Sequence, residues 1–289
     1  MRNNKRFNNL VVRKRFGQNF LINKEILEQI IEKSDLAPDQ FILEIGAGHG
    51  ALTEKLLEKV EHVTSVEIDR DLVASLTEKF KGNEKLDIVS GDILDLDFNS
   101  LNLEKYSLER RKVIGNIPYY ITTPIIMKVI GEINLKKHGI SHTNQQFSEL
   151  IIMLQKEVGE RVVAKPGTKA YGALSVICQY ACHVKSLLIV DRSSFYPAPS
   201  VDSMVISLKL KTEDEHQINS PPTFWKIVHG VFTSRRKTLK NSLKISGFSD
   251  DLINIIEKDF NLGIRGETMS LADFAKLSNA LSIDVADKV

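Results

Sequence analysis

Only two of the 289 residues are cysteine, Cys178 and Cys182, one helical turn apart in an apolar segment. That spacing is awkward for a disulfide and short of a metal set, which excludes a disulfide-stapled scaffold and leaves two buried free thiols. Long apolar runs are missing as well. No stretch reaches about 18 apolar residues, and the basic N-terminus has no apolar core of signal-peptide kind. A soluble, cytoplasmic protein that touches no membrane is expected. The seven histidines show no metal-ligand spacing, so no metal is expected. There is no internal repeat, which excludes a solenoid, and no low-complexity tract. Net charge is only +2, so the chain as a whole does not announce a polyanionic partner.

The distribution of charge says more than its sum. Residues 1–20 hold Arg2, Lys5, Arg6, Arg13, Lys14 and Arg15 with no acid, and 226–249 hold Lys226, Arg235, Arg236, Lys237, Lys240 and Lys244, again with no acid. Charge runs are commonly just solvated helix faces. Two acid-free runs in one chain favour contact with a phosphate backbone, and RNA-binding roles are expected for Arg13, Lys14, Arg15, Arg235, Arg236, Lys237 and Lys240.

A chain this long, 42% hydrophobic and 26% charged, exceeds the usual single-domain size. After a basic arm, 1–22, Asn23 can cap an amphipathic helix carrying Ile26, Leu27, Ile30 and Ile31. Apolar strand patterns at 41–45, 62–66, 86–89, 112–114, 150–154, 183–190 and 204–210 then alternate with helical patterns over most of 40–180. This predicts an α/β domain, 23–211, with a doubly wound, mostly parallel sheet of seven strands. Residues 134–148 read as a surface loop and 212–222, with Pro221-Pro222, as a linker. The patterns at 224–232, 237–243, 252–256 and 271–281 are all helical, so 223–289 should be a small all-helical domain.

Three strands end in acidic or glycine-rich turns. Gly46-Ala-Gly-His-Gly50 follows the first strand, Glu67 ends the second, and Gly91-Asp92 the third. Ligands bind parallel sheets at such ends, near the switch point. The loop lacks the full dinucleotide fingerprint, and no Gly-Lys-Ser/Thr follows, so neither a pyrophosphate nor a triphosphate is well served. Glu67 can accept from ribose hydroxyls and Asp92 from an adenine amine, while Gly46 and Gly48 allow close backbone approach. S-adenosyl-L-methionine, a cationic nucleoside without phosphates, fits that set. Glu44, inside the first strand, is either an acceptor near the methionine amine or a support for the loop.

The fourth strand runs into Val113-Ile-Gly-Asn-Ile-Pro-Tyr-Tyr120. Gly115 would let the backbone approach a ligand, and Pro118 fixes one dihedral while removing a donor. The Asn116 side-chain oxygen, the carbonyls beside Pro118 and the Tyr119 ring form acceptors plus a stacking face, suited to a flat base with an amino group. Asn and Pro are also ordinary turn residues. The acids of the donor set, on neighbouring strand ends, favour a site.

Gln18-Asn-Phe-Leu21, Glu44-Ile-Gly-Ala-Gly48, Glu67, Gly91-Asp92, Asn116-Ile-Pro-Tyr119 and Phe195-Tyr-Pro-Ala-Pro-Ser-Val-Asp-Ser203 fall in one order that resembles the ribosomal RNA adenine N6,N6-dimethyltransferases over about residues 13–281. Phe232-Thr-Ser-Arg-Arg-Lys-Thr-Leu-Lys240 and Arg265-Gly-Glu-Thr-Met-Ser-Leu271 resemble the C-terminal signatures of the small-subunit, KsgA-type group. The resemblance implies a Rossmann-like class I methyltransferase fold. It also implies closure of Gln18, Asn19 and Leu21 over the donor, Gly46 at the methionine end, Glu67 at the ribose, Asp92 at the adenine, and Asn116 between donor and target. Tyr119 and Phe195 would sandwich the base, the alternative for Phe195 being an aromatic that anchors its loop to the core.

The implied reaction gives N6,N6-dimethyladenosine, at two adjacent adenosines in a small-subunit hairpin loop, by a monomer acting on an immature ribosomal particle. Alternatives are a large-subunit resistance methylase, a DNA adenine methylase, or a ribosome-assembly factor whose role is binding. Ile117 replaces a more frequent leucine, Tyr120 stands where asparagine is common, and 134–148 is longer than usual.

Overall fold

The computed structural model describes residue 13 and residues 17–130 and 145–286. The rest of the basic arm, with Lys14 and Arg15, and most of the expected 134–148 loop lie outside the described residues. Contacts divide the chain into two units, one formed by 1–129, 145–159 and 185–210, the other by 130–144, 160–184 and 211–289. Residues 160–184, expected within the α/β domain, group in this division with the C-terminal helices.

The first unit opens with a two-residue strand, β1 (Phe20–Leu21), and helix α1 (Lys24–Lys33), where the Asn23 side chain accepts from the N–H groups of Glu25 and Ile26. There follow β2 (Phe41–Ile45), α2 (Ala51–Leu57), β3 (His62–Glu67), α3 (Arg70–Lys79), β4 (Leu86–Ser90), β5 (Arg111–Asn116), α4 (Thr122–Ile130) and β6 (Glu149–Gln155). The chain continues through α5 (Lys156–Val162), α6 (Ala173–Ala181), β7 (Cys182–Val190), β8 (Phe195–Tyr196) and β9 (Ser203–Leu210).

Seven strands make one sheet in the order β4-β3-β2-β5-β6-β9-β7, and β1 pairs separately with β8. The pairs from β4 to β6 are parallel, and β9 runs antiparallel to β6. Every residue of β2 is buried, because a central parallel strand is covered on both faces; its continuous apolar run reflects that. From β2 the chain moves outward to β3 and β4, then crosses back to β5 and β6. The switch point therefore lies between β2 and β5. A buried lysine at the foot of β5 fixes this register against α1: Lys112 Nζ donates to the Ser34 and Asp35 carbonyls, each at 2.9 Å, and pairs with Glu149 at 2.9 Å.

The second unit adds α7 (Pro221–Thr233), α8 (Leu239–Ile245), α9 (Asp250–Ile256) and α10 (Leu271–Ala286). Pro221-Pro222, expected in a linker, instead opens α7, where a missing N–H costs nothing and Ser220 supplies the cap. Helix α6 reads in sequence as one more crossover of the sheet. Its aromatic neighbours explain the regrouping: Tyr180 lies 5.5 Å from Phe224 and 6.2 Å from Trp225 between ring centroids, and nearby Tyr171 meets Phe232 edge-on at 5.6 Å.

Candidate active site

Two glycines set the backbone at the switch point. Gly46 follows β2 at φ +74°, and a Cβ there would lie 3.2 Å from the Asn116 carbonyl oxygen. Gly115, expected to admit a ligand, serves a different purpose. It pairs with Ile45, and a Cβ would lie 2.6 Å from the Ile45 carbonyl oxygen, so its smallness lets β2 and β5 close on each other. The loop after β2 and the Asn116 turn are thereby held side by side.

Above them, at the carboxyl ends of the strands, opens a cleft. Its wall includes Gln18, Asn19, Gly46, Gly48, Glu67, Asp92, Asn116, Pro118 and Tyr119, nine of the positions singled out in the sequence. Glu67 is 6% exposed; its Oε2 accepts the Gly48 N–H at 2.9 Å and its Oε1 the Asp69 N–H at 3.0 Å. Burial pushes its carboxyl above the ordinary range, against the pull of these donors. Asp92 Oδ1 accepts the Leu94 N–H at 2.9 Å, leaving Oδ2 for a ligand. Among the described residues no lysine or arginine lines the cleft, and Glu67 and Asp92 are the charged ones. Such a lining repels phosphates and suits a cation. Ile45, Val66, Ile68, Leu72 and Ile93 add apolar surface for a flat ring.

Asn116 closes one end. Its Nδ2 donates to the Asn19 carbonyl at 3.0 Å, which orients the amide and leaves Oδ1 as an open acceptor. The Pro118 carbonyl accepts from Ile121 N–H at 3.2 Å, whereas the Tyr119 hydroxyl meets Ser203 Oγ at 2.8 Å. Burial raises the Tyr119 phenol above its ordinary range.

The sequence profile of the ribosomal RNA adenine dimethylases matches residues 9–282. The chain belongs to that family. A ribosomal RNA small subunit methyltransferase A of Clostridium acetobutylicum is 40% identical over 274 residues, covering 93% of each chain. Its counterpart in Caldanaerobacter subterraneus subsp. tengcongensis is 37% identical over 271 residues, 93% of this chain and 97% of the relative. Among solved structures, a dimethyladenosine transferase from Plasmodium falciparum has a TM-score of 0.72 at 24% identity, covering 93% of this chain and 98% of that one. The 23S rRNA methyltransferase ErmE has a TM-score of 0.69 at 23% identity, covering 91% and 100%. These two likenesses bear on the fold, the α/β class I methyltransferase architecture expected from the strand pattern. The protein is a ribosomal RNA adenine methyltransferase that uses S-adenosylmethionine, in line with the acid-lined, phosphate-averse cleft.

Several expected residues of this dimethylase lie elsewhere. Phe195 is 3% exposed and packs in the core with Ile30, Val190 and Val205; paired with Leu21 across the β1–β8 ribbon, its ring offers a base no face in this structure. Leu21 lines a separate cavity under the loop, one that shares Gly46, Gly48 and Asn116 with the cleft. Glu44 is enclosed and lines neither cavity: its Oε2 accepts from Thr53 of α2 at 2.6 Å and Ser65 of β3 at 2.5 Å, which suits loop support rather than contact with the methionine amine.

The basic residues divide in two. Arg13 is committed to Asp69, at 3.2 Å, and to Asp71. Arg235 pairs with Glu267 at 2.9 Å, Lys240 with Glu257 at 2.6 Å, and Lys244 with Asp250 at 2.6 Å. These acids lie beyond the run 226–249, so a stretch without acid in sequence is not one without acid in space. Arg236 and Lys237 remain exposed.

One residue of consequence escaped the sequence reading. Asp69, capping α3, accepts from Gln18 Nε2 at 3.0 Å and gives its own N–H to Glu67, thus joining the N-terminal segment to Glu67. An Asp two residues past a strand-end acid, just before a helical pattern, was the available signal.

Proposed function

We propose that the enzyme methylates the exocyclic N6 amines of two adjacent adenosines in a hairpin loop of small-subunit ribosomal RNA, giving N6,N6-dimethyladenosine. The observation that carries this reading is the position of Asn116, whose side chain is locked onto Asn19 at the end of a cleft lined by Glu67 and Asp92. The names of the 40% and 37% identical relatives support the small-subunit target.

In this reading Asp92 Oδ2 accepts from the donor's adenine amine, Glu67 from the ribose hydroxyls, and the Gly46–Gly48 backbone lines the methionine end, with Gln18 and Asn19 covering it. Bound there, S-adenosylmethionine supplies an electrophilic methyl group on a sulfonium.

The chain's own task is to make a poor nucleophile react. Adenine's N6 lone pair is delocalised into the ring. Asn116 Oδ1 accepts one amine N–H and the Ile117 carbonyl, left open while Pro118 closes onto Ile121, accepts the other. Two acceptors draw the nitrogen toward pyramidal geometry and aim its lone pair. Orientation of this kind is worth roughly 7–11 kcal/mol. Tyr119 stacks on the base, anchored through Ser203. No base is needed, because the amine becomes acidic as it is methylated and its proton passes to water. After one transfer the amine rotates and still has a hydrogen for an acceptor, which permits a second.

The helical unit serves as the RNA platform, with Arg236 and Lys237 among its exposed cations. The enzyme works as a monomer in the cytoplasm on an immature ribosomal particle. Offering small-subunit particles, large-subunit RNA and duplex DNA with labelled donor tests the target: label in the small-subunit RNA supports the reading, and label in either of the others in its place refutes it. If the protein were a binding factor with a secondary enzymatic role, Asn116→Ala would leave ribosome assembly normal in cells that depend on it.

A further inference from the structure

Tyr120 is the residue of the Asn116 turn that neither the donor nor the target amine accounts for. It is 62% exposed, although it lines the cleft at the end where Asn116, Pro118 and Tyr119 meet. One edge of its ring faces the turn at Gly17, near enough that a Cβ there would stand 3.6 Å from two ring carbons, and the residue is otherwise largely exposed. The other aromatics near the reactive end are committed. Phe195 is in the core, Tyr119 is tied to Ser203, and Phe20 packs against His49 with ring centroids 4.5 Å apart.

Resting on the small-subunit RNA reading, we propose that Tyr120 is a stacking residue for the nucleobase next to the one in the cleft. A base whose amine must reach Asn116 has to leave its stack, and its neighbour then loses a partner on that side. Single-stranded bases are held on aromatic faces for this reason, with little dependence on sequence. Tyr120 meets the physical requirements. Its ring is exposed, its backbone is continuous with the turn that grips the target, and a tyrosine has only two side-chain torsions to fix, so little entropy is lost on stacking. The donor's own contacts, on Glu67 and Asp92, lie at the other strand ends. Tyr120 therefore acts on RNA affinity and on the register of the target, leaving donor binding untouched.

The test compares wild type, Tyr120→Phe and Tyr120→Ala on the same small-subunit RNA, with 2-aminopurine placed on either side of the methylated adenosine. Stacking predicts that the alanine variant raises KM for RNA about tenfold, keeps its dissociation constant for S-adenosylmethionine and its thermal midpoint, and loses the quenching of one flanking 2-aminopurine seen with wild type. The phenylalanine variant should retain both KM and quenching. An alanine variant with unchanged KM and quenching overturns the proposal, as does a loss of donor affinity that matches the loss of RNA affinity. Failure of wild type to methylate the RNA at all would instead defeat the reading of the target.

Discussion

Glu44→Gln should alter how stability depends on pH while leaving the cofactor site alone. The carboxyl is 1% exposed, Oε2 takes two hydroxyls, and Oε1 has no partner. Burial raises it from 4.5 to about 7, outweighing the Ser65 and Thr53 hydroxyls that favour the charge. As pH rises from 4.5 to 7, the unfolded chain releases this proton while the folded chain holds it. The unfolded state then binds fewer protons, so stability falls with rising pH. Each pH step of one across that window removes about 1.4 kcal/mol, and the wild type loses about 3 kcal/mol by the time the folded carboxyl has ionised.

Glutamine is neutral throughout and keeps an oxygen for both hydroxyls. E44Q should match wild type within about 1 kcal/mol near pH 5 and exceed it by about 2–3 kcal/mol near pH 8.5. In thermal unfolding that is a gain of about 5–10 °C. A stability difference independent of pH, or a variant weaker than wild type at pH 8.5, would refute the reasoning. Donor affinity should stay within about threefold of wild type, because Glu44 lines no part of the cleft; a larger loss would return it to the methionine amine.

Asn116→Ala should bind S-adenosylmethionine almost normally but lose at least about a hundredfold in methyl transfer, since in the proposed mechanism it removes an acceptor for the reacting amine; isothermal titration and single-turnover assays separate the two. Gly115→Ala drives a methyl group against the Ile45 carbonyl, 2.6 Å away, and should cost about 2 kcal/mol or more in denaturant unfolding. Neutralising Arg236 and Lys237 together should lower the slope of log RNA affinity against log salt by about one to two. Neutralising Arg235 and Lys240, already paired with Glu267 and Glu257, should lower it less.

The sheet and the two acids that line the cleft were legible because they rest on short-range features. Five successive apolar residues at 41–45 can be satisfied only by burial on both faces, and the acids at 67 and 92 take their meaning from the strands they end. Features that depend on distant partners were not legible. Glu257 and Glu267 pair with Lys240 and Arg235 of a run that is purely basic in sequence. Phe195 looks available in its motif, but its pairing with Leu21 turns it into the core. Helix α6 keeps the spacing of a crossover helix, and only Phe224, Trp225 and Phe232, some 50 residues on, reveal its companions. Gly115 was read as an opening for a ligand because the strand that needs its smallness lies 70 residues earlier.

The most direct test of the account is to map methylated adenosines in ribosomal RNA from cells lacking this protein, supplied with either wild type or Asn116→Ala. Two adjacent N6,N6-dimethyladenosines in the small-subunit RNA that return with wild type and stay unmodified with the variant are the predicted result. Restoration by the variant, or a wild-type mark confined to large-subunit RNA, would contradict it.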